Sequence, residues 1–158
     1  MLSREGVGIS RQLLSKWIVR CGHALKPIFS EMKKRVLASE SVYIDETPVD
    51  MLAPGTGKTQ QTYMWTLVGG NESNPQYRIY AFRSDRKHQH VFDLLEGYTG
   101  NVHSDKYGAY EELAKKKQII WNPCYSHIRR KFFEAEAGDP VFRSWVLMKI
   151  RHLFRFDK

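Results

Sequence analysis

Two aspartates each follow a short apolar run that alternates in the manner of a β-strand. Asp45 follows "SVYI", and Asp105 follows "NVHS". In an open sheet, the carboxyl ends of neighbouring parallel strands meet in a crevice where ligands bind. Two carboxylates placed there repel each other, and a divalent cation removes that repulsion. Oxygen ligands suit Mg²⁺ or Mn²⁺, so the pattern predicts that Asp45 and Asp105 are metal ligands and catalytic acids in phosphodiester chemistry.

The same aspartates are also compatible with a structural role. Asp105 precedes "KYGAYEELAKK", where it would cap a helix, and Asp45 precedes a Thr-Pro pair, where it would make a turn. Spacing alone leaves both interpretations open.

The elements that must position these acids begin with helices. Residues 9–37 have helical spacing, with Ser10 as the N-cap and Pro27 opening a second helix. An apolar stripe through Trp17 is expected to pack against that second helix. A helix-turn-helix-like arrangement over residues 1–38 is the functional alternative.

From Glu40 onwards the apolar period changes to two. Three strands are predicted at "SVYIDE", "TYMWTLVGG" and "QYRIYAFR", and βα units follow them. Three antiparallel strands followed by βα units imply a mixed sheet with right-handed crossovers. The pattern therefore predicts an α/β, ribonuclease H-like fold, with a helical segment over residues 1–38 and a catalytic core over 39–158.

Basic residues indicate a polyanionic partner. The chain of 158 residues has a net charge of +8, which favours nucleic acid before membrane. The stretch "SHIRRKFFEAEAG" predicts a helix capped by Ser126, with a basic outer face and an inner face formed by its two phenylalanines. The predicted DNA-contacting cations are Arg129, Arg130, Lys131 and, in the loop "PGTGKT", Lys58. The alternative for both segments is an ordinary solvated surface.

Other kinds of site fit less well. The loop around Lys58 is not a nucleotide-binding P-loop, because the pattern requires glycine at position 52 and the residue there is Leu52. Cys124 and His127 supply only half of a four-ligand zinc site, and Cys21 with His23 would complete it only through the fold. The alternative for His127 is a place near the acids, where it would contact a phosphate or orient water.

Cellular context follows from cysteines and apolar runs. Two cysteines far apart in sequence exclude a disulfide framework and indicate the cytoplasm. No apolar run approaches the roughly 20 residues that span a bilayer, so we expect no membrane partner.

Three ordered segments carry a family resemblance: "YIDETPVDMLAPGTGKTQQTYMWTLVGG", "VHSDKYGAY" and "CYSHIRRKFFEA". They resemble successive signatures of the insertion-sequence 66 family of DDE transposases, namely D-[DE]-T-P-V, D-x-Y-x-x-Y and C-x-x-H-x-R-R-K-F. The resemblance covers nearly the whole chain. It implies a metal-dependent DNA transposase that acts on insertion-sequence ends and target DNA and forms a homo-oligomer at full length. It also implies that Asp45 and Asp105 are the first two catalytic acids.

The third acid implied by the resemblance is a glutamate in a D-N-x-x-E-R-like motif, which this sequence does not contain. Glu134, Glu136 and Asp157 are the nearest acids, and none has that context. The resemblance therefore implies a fragment that is inactive on its own. Two alternatives stay open: another ribonuclease H-like nuclease with Asp157 as its last acid, and a catalytically inactive DNA-binding remnant of a mobile element.

Overall fold

A single mixed sheet organises the protein, whose computed structural model describes residues 6, 8–71, 74–116, 118–135 and 138–155. The strands lie in the order β3-β2-β1-β4-β5. β1 and β3 are each antiparallel to β2, whereas β4 is parallel to β1 and β5 is parallel to β4. This arrangement confirms the predicted α/β, ribonuclease H-like fold. The elements are α1 (Arg11–Leu37), β1 (Ser41–Leu52), β2 (Thr59–Asn71), β3 (Asn74–Arg83), α2 (His88–Leu94), β4 (Asn101–Ser104), α3 (Gly108–Lys115), β5 (Ile120–Pro123), α4 (Tyr125–Glu134) and α5 (Pro140–Leu153).

Alternating side chains of the central strands form the core. Val42 and Ile44 of β1 are buried, and Val102 of β4 lies beside them. Trp65 and Leu67 of β2 continue this apolar layer. Because side chains alternate along a strand, Tyr43 and Asp45 point to the opposite face of the sheet. The core therefore fixes which face of β1 carries the first predicted acid.

Strand β1 is longer than the sequence predicts. It runs from Ser41 to Leu52 through Pro48, so the expectation that it ends at Glu46 is wrong. Beyond Tyr43, β1 pairs only with β2, which leaves its other edge open. A strand with an open edge tolerates proline, because the missing N–H is not needed there.

Helix α1 is one continuous helix, and the expectation that Pro27 opens a second helix is wrong. Ser10 is the N-cap, and its side chain accepts a hydrogen bond from Leu13 N, as predicted. A proline inside a helix removes one hydrogen bond and costs about 3 kcal/mol. Helical residues nevertheless continue on both sides of Pro27.

The two ends of α1 have different environments. Val36 is fully buried, and Met32 and Leu37 pack against the core. Trp17 and Ile18 are exposed, so the expectation that this stripe packs against a second helix is also wrong. The division at residue 38 into a helical segment and a catalytic core stays a prediction. Among the described helices, none is long and apolar enough to cross a bilayer.

Candidate active site

The register between β1 and β4 determines where the two aspartates lie. Tyr43 pairs with His103, and their rings stack with centroids 4.6 Å apart. Asp45 and Asp105 each lie two residues further along their chains. Asp45 does not end β1, but it lies just beyond the last residue that pairs with β4. The parallel pair therefore opens where these residues occur, and their side chains remain accessible, with exposed fractions of 56% and 26%.

The structural roles considered for the two aspartates have different outcomes. Asp105 Oδ1 accepts a hydrogen bond from Tyr107 N at 3.0 Å, which forms a turn. Asp105 is not the N-cap of α3, because that position belongs to Tyr107. Asp45 lies in extended strand, so its alternative role as a turn residue is wrong. Asp105 has a structural bond on one oxygen, and its other oxygen faces Arg86 at 3.5 Å.

Glu46 is a third carboxylate at this place, and the sequence interpretation did not include it in the site. Its side chain is only 3% exposed, because residue 46 points to the core side of β1. Arg86 Nε donates to Glu46 Oε1 at 2.7 Å, and Nη2 contacts the same oxygen. Burial raises the pKa of Glu46, while the hydrogen bond from Arg86 acts in the opposite direction. Strand alternation could have predicted a buried acid here, but not the cation that pairs with it.

Tyr110 of α3 has a fully buried side chain whose hydroxyl is influenced by the charges of all three acids. Its hydroxyl is buried and has no hydrogen-bond partner among the described residues. Burial raises the pKa of the Tyr110 hydroxyl, and the charges of Glu46, Asp105 and Asp45 raise it further. The three carboxylates therefore lie within electrostatic range of one hydroxyl, although they come from two separate segments.

His127 lies beside the first aspartate. Its Nε2 atom is 4.0 Å from Asp45 Oδ1. The expected helix cap at Ser126 is wrong, because α4 begins at Tyr125 with Cys124 as the N-cap residue. Cys124 N donates to the carbonyl oxygen of Ser104 at 2.8 Å, so the helix starts where the sheet ends. That connection brings the first turn of α4 to the site.

The predicted DNA-contacting cations are on the surface. Arg129, Arg130 and Lys131 are exposed on α4, and Lys58 is exposed in the loop between β1 and β2. The expectation that both phenylalanines of α4 face inward is wrong. Phe133 is 67% exposed with the Arg129 guanidinium 6.0 Å from its ring centroid. Phe132 instead packs against Phe142 of α5, with ring centroids 6.2 Å apart.

The described residues contain no larger cluster of metal-ligating side chains. Within the described ranges, no group of three or more His, Cys, Asp or Glu side chains could hold a metal ion. The zinc alternative gains no support, because Cys21 is exposed on α1. Asp157 and Glu136 lie outside the described residues, so the nuclease that uses Asp157 as its last acid stays a hypothesis.

Asp85 holds the loop between β3 and α2, which carries Arg86. Its Oδ1 accepts a hydrogen bond from Lys87 N at 3.2 Å and lies 2.6 Å from His90 Nε2. Lys87 Nζ lies 2.9 Å from Oδ2. Hydrogen bonds from Lys87 and from His90 lower the pKa of Asp85 from 3.8 to about 2.

Asp85→Asn is expected to lower the thermal unfolding midpoint at about pH 5 and to have a much smaller effect near pH 2. Since the pKa is lower in the folded protein, the carboxylate stabilises the fold above pH 3.8, and this contribution is lost as the pH falls through about 2. Thermal unfolding at several pH values checks it, with exposed Asp50→Asn controlling for the loss of one charge. If Asp85→Asn lowered the midpoint as much near pH 2 as at pH 5, the Asp85 carboxylate would not be the group that stabilises this loop.

Comparisons with known proteins show the family to which the chain belongs. The family model described as "Transposase IS66 family" matches residues 1–158. Two proteins of Sinorhizobium fredii (strain NBRC 101917 / NGR234), "Uncharacterized protein y4qI" and "Uncharacterized protein y4hP", are 32% and 33% identical over 142 and 140 residues. These alignments cover 83% and 82% of this chain but only 26% and 25% of the relatives. The chain thus spans about a quarter of the length of these curated relatives, and it belongs to the IS66 family of transposases.

Proposed function

We propose that this chain supplies the first two catalytic acids of a DNA transposase that hydrolyses phosphodiesters at insertion-sequence ends and transfers the freed strand to target DNA. The observation that carries the proposal is the register of β1 with β4, which places Asp45 and Asp105 two residues beyond the Tyr43–His103 pair. Both carboxylates are accessible, and both come from the opening between parallel strands, where a ligand can reach them.

The two aspartates fit one hard divalent cation. Their oxygens are the ligand type that Mg²⁺ and Mn²⁺ prefer, and both ions retain waters that fill the remaining positions. Glu46 is already paired with Arg86, whereas the described residues place no lysine or arginine in a salt bridge with Asp45, whose Oδ1 lies 4.0 Å from His127 Nε2. When bound, the ion would stabilise charge on phosphate oxygens and favour deprotonation of a water or hydroxyl.

The other residues of the site have roles that follow from their positions. His127 would orient the attacking group or contact a phosphate, since its ring lies beside Asp45. The exposed cations Arg129, Arg130 and Lys131 of α4 would neutralise the DNA backbone, and Lys58 would add a contact from the β1–β2 loop. DNA is the proposed partner, and the cytoplasm and a homo-oligomer at full length are part of the same proposal.

A Mn²⁺ titration tests the proposed site. Asp105→Asn is expected to weaken Mn²⁺ binding to the protein by about tenfold or more, because one of two carboxylate ligands loses its charge. Electron paramagnetic resonance of free Mn²⁺ measures the affinity directly. Asp50→Asn removes the same charge from an exposed position on β1 and should leave the affinity unchanged.

A catalytically inactive DNA-binding remnant is the second candidate. The observation in its favour is that no group of three ligand side chains occurs among the described residues. In that case the protein would retain DNA, but its Mn²⁺ binding would be equally weak with and without the Asp105 carboxylate. The titration thus separates the two candidates.

A further inference from the structure

Arg86 lies on a loop whose backbone is fixed from both sides. Asp85 accepts the hydrogen bond from Lys87 N, as described above. On the other side, the Tyr107 hydroxyl donates to the carbonyl oxygen of Arg86. The loop between β3 and α2 is therefore tied to the turn between β4 and α3, which carries Asp105.

The Arg86 side chain is anchored at its inner end. Its Nε and Nη2 atoms both donate to Glu46 Oε1, and that carboxylate is almost completely buried. Charge-assisted hydrogen bonds of this kind are among the stronger contacts in proteins. The Tyr107 ring lies against the guanidinium, with 4.3 Å from Arg86 Cζ to the ring centroid. The guanidinium thus has a fixed position, although the Arg86 side chain is partly exposed.

The Nη2 atom that donates to Glu46 also approaches Asp105. Arg86 Nη2 lies 3.5 Å from Asp105 Oδ2. The other oxygen, Oδ1, accepts the hydrogen bond from Tyr107 N. One carboxylate oxygen therefore faces a backbone donor and the other faces a fixed positive charge.

We propose that Arg86 is a positioning residue, which uses buried Glu46 as its anchor to hold the Asp105 carboxylate in the orientation that receives a divalent cation. This inference rests on the proposed function, because Asp105 is a ligand only within it. Partners that orient metal ligands commonly contribute ten- to a hundred-fold to metal affinity. Lysine cannot replace Arg86 fully, since a single ammonium cannot contact Glu46, Asp105 and the Tyr107 ring together.

The first measurement needs no metal. The amide of Tyr107 donates to Asp105 Oδ1, so its hydrogen exchange reports whether Asp105 is held. We expect Arg86→Gln to speed that exchange by about tenfold, Arg86→Lys to give an intermediate rate, and Arg83→Gln to leave it unchanged. Arg83 is a matched control because its guanidinium donates to the carbonyl oxygen of Phe82, away from the acids.

A second variant tests whether a general loss of stability explains the faster exchange of the Tyr107 amide. Arg86→Gln leaves the buried Glu46 carboxylate without its cation, and an unpaired buried charge destabilises the folded state. The double variant Glu46→Leu/Arg86→Met removes both charges and should recover global stability in urea denaturation. We expect the Tyr107 amide to remain as exchangeable in the double variant as in Arg86→Gln. Recovery of the protection found in the unmodified protein would overturn the proposal, since only the buried charge would then matter.

Mn²⁺ affinity gives the second readout. We expect Arg86→Gln and the double variant each to bind Mn²⁺ about tenfold more weakly than the unmodified protein. Equal or tighter binding would overturn the positioning role, because Arg86 would then be neutral or would compete with the ion. If the unmodified protein shows no binding that depends on Asp105, the proposed function fails, whereas the exchange of the Tyr107 amide still decides whether Arg86 holds Asp105.

Discussion

Asp45→Asn is expected to reduce metal-dependent DNA cleavage by roughly a thousand-fold in a full-length protein that carries this chain. The substitution keeps the size and the hydrogen-bonding capacity of the side chain but removes the charge that the cation neutralises. Since the Asp45 side chain is exposed, we expect the substitution to leave the fold unchanged. Cleavage of a labelled duplex that carries an insertion-sequence end measures the effect, and a mobility-shift assay should show nearly unchanged DNA retention.

Two matched variants make this prediction specific. Asp50→Asn changes the same charge on the same strand, and we expect cleavage close to that of the unmodified protein. The pair Arg129→Ala/Arg130→Ala should show the reverse behaviour, with weaker DNA retention and a smaller dependence of binding on salt concentration. Undiminished cleavage by Asp45→Asn would remove that residue from the catalytic site.

Gly69→Ala is expected to lower the free energy of unfolding by about 3 kcal/mol. Gly69 lies where β2 passes beneath the end of α1, and it pairs with Val42 of the core. An added Cβ would lie 2.7 Å from the Val36 carbonyl oxygen and 2.8 Å from Ser39 Oγ. The backbone of α1 must then move away from the sheet, which disturbs the fully buried Val36 side chain. Urea denaturation followed by circular dichroism measures the loss.

Gly22→Ala is the control for that substitution. Gly22 lies inside α1, and an added Cβ would have no atom within 4 Å. We expect a gain of up to about 1 kcal/mol, because alanine restricts the unfolded chain and favours the helix. Similar losses for both substitutions would show that the close approach of α1 to β2 is not the cause.

Local periodicity was sufficient to predict most of the sheet. The change to a period of two at Glu40 predicted the antiparallel strands, and the βα order predicted parallel β4 beside β1. The same reasoning placed Asp45 and Asp105 on neighbouring strands, because handedness and strand adjacency leave few topologies for this order.

Features that depend on contacts between distant segments could not be predicted in this way. The pairing of Glu46 with Arg86 joins residues of β1 and of the loop after β3, and no local pattern encodes it. Sequence rules place a helix start at Pro27 because they weigh the lost hydrogen bond, but the helix continues on both sides of this residue. The exposure of Phe133 likewise depends on where α4 leaves the sheet.

The pairing of β1 with β4 has a consequence for when the two acids can meet. Positions 45 and 105 are sixty residues apart in the chain, so bringing them together closes a loop whose entropy costs about 4 kcal/mol. The bridging pair has only three residues in register, and its buried members, Val42 and Val102, must offset that cost. The two carboxylates therefore come together only after β1 and β4 have paired, and no short segment of the chain brings them together on its own.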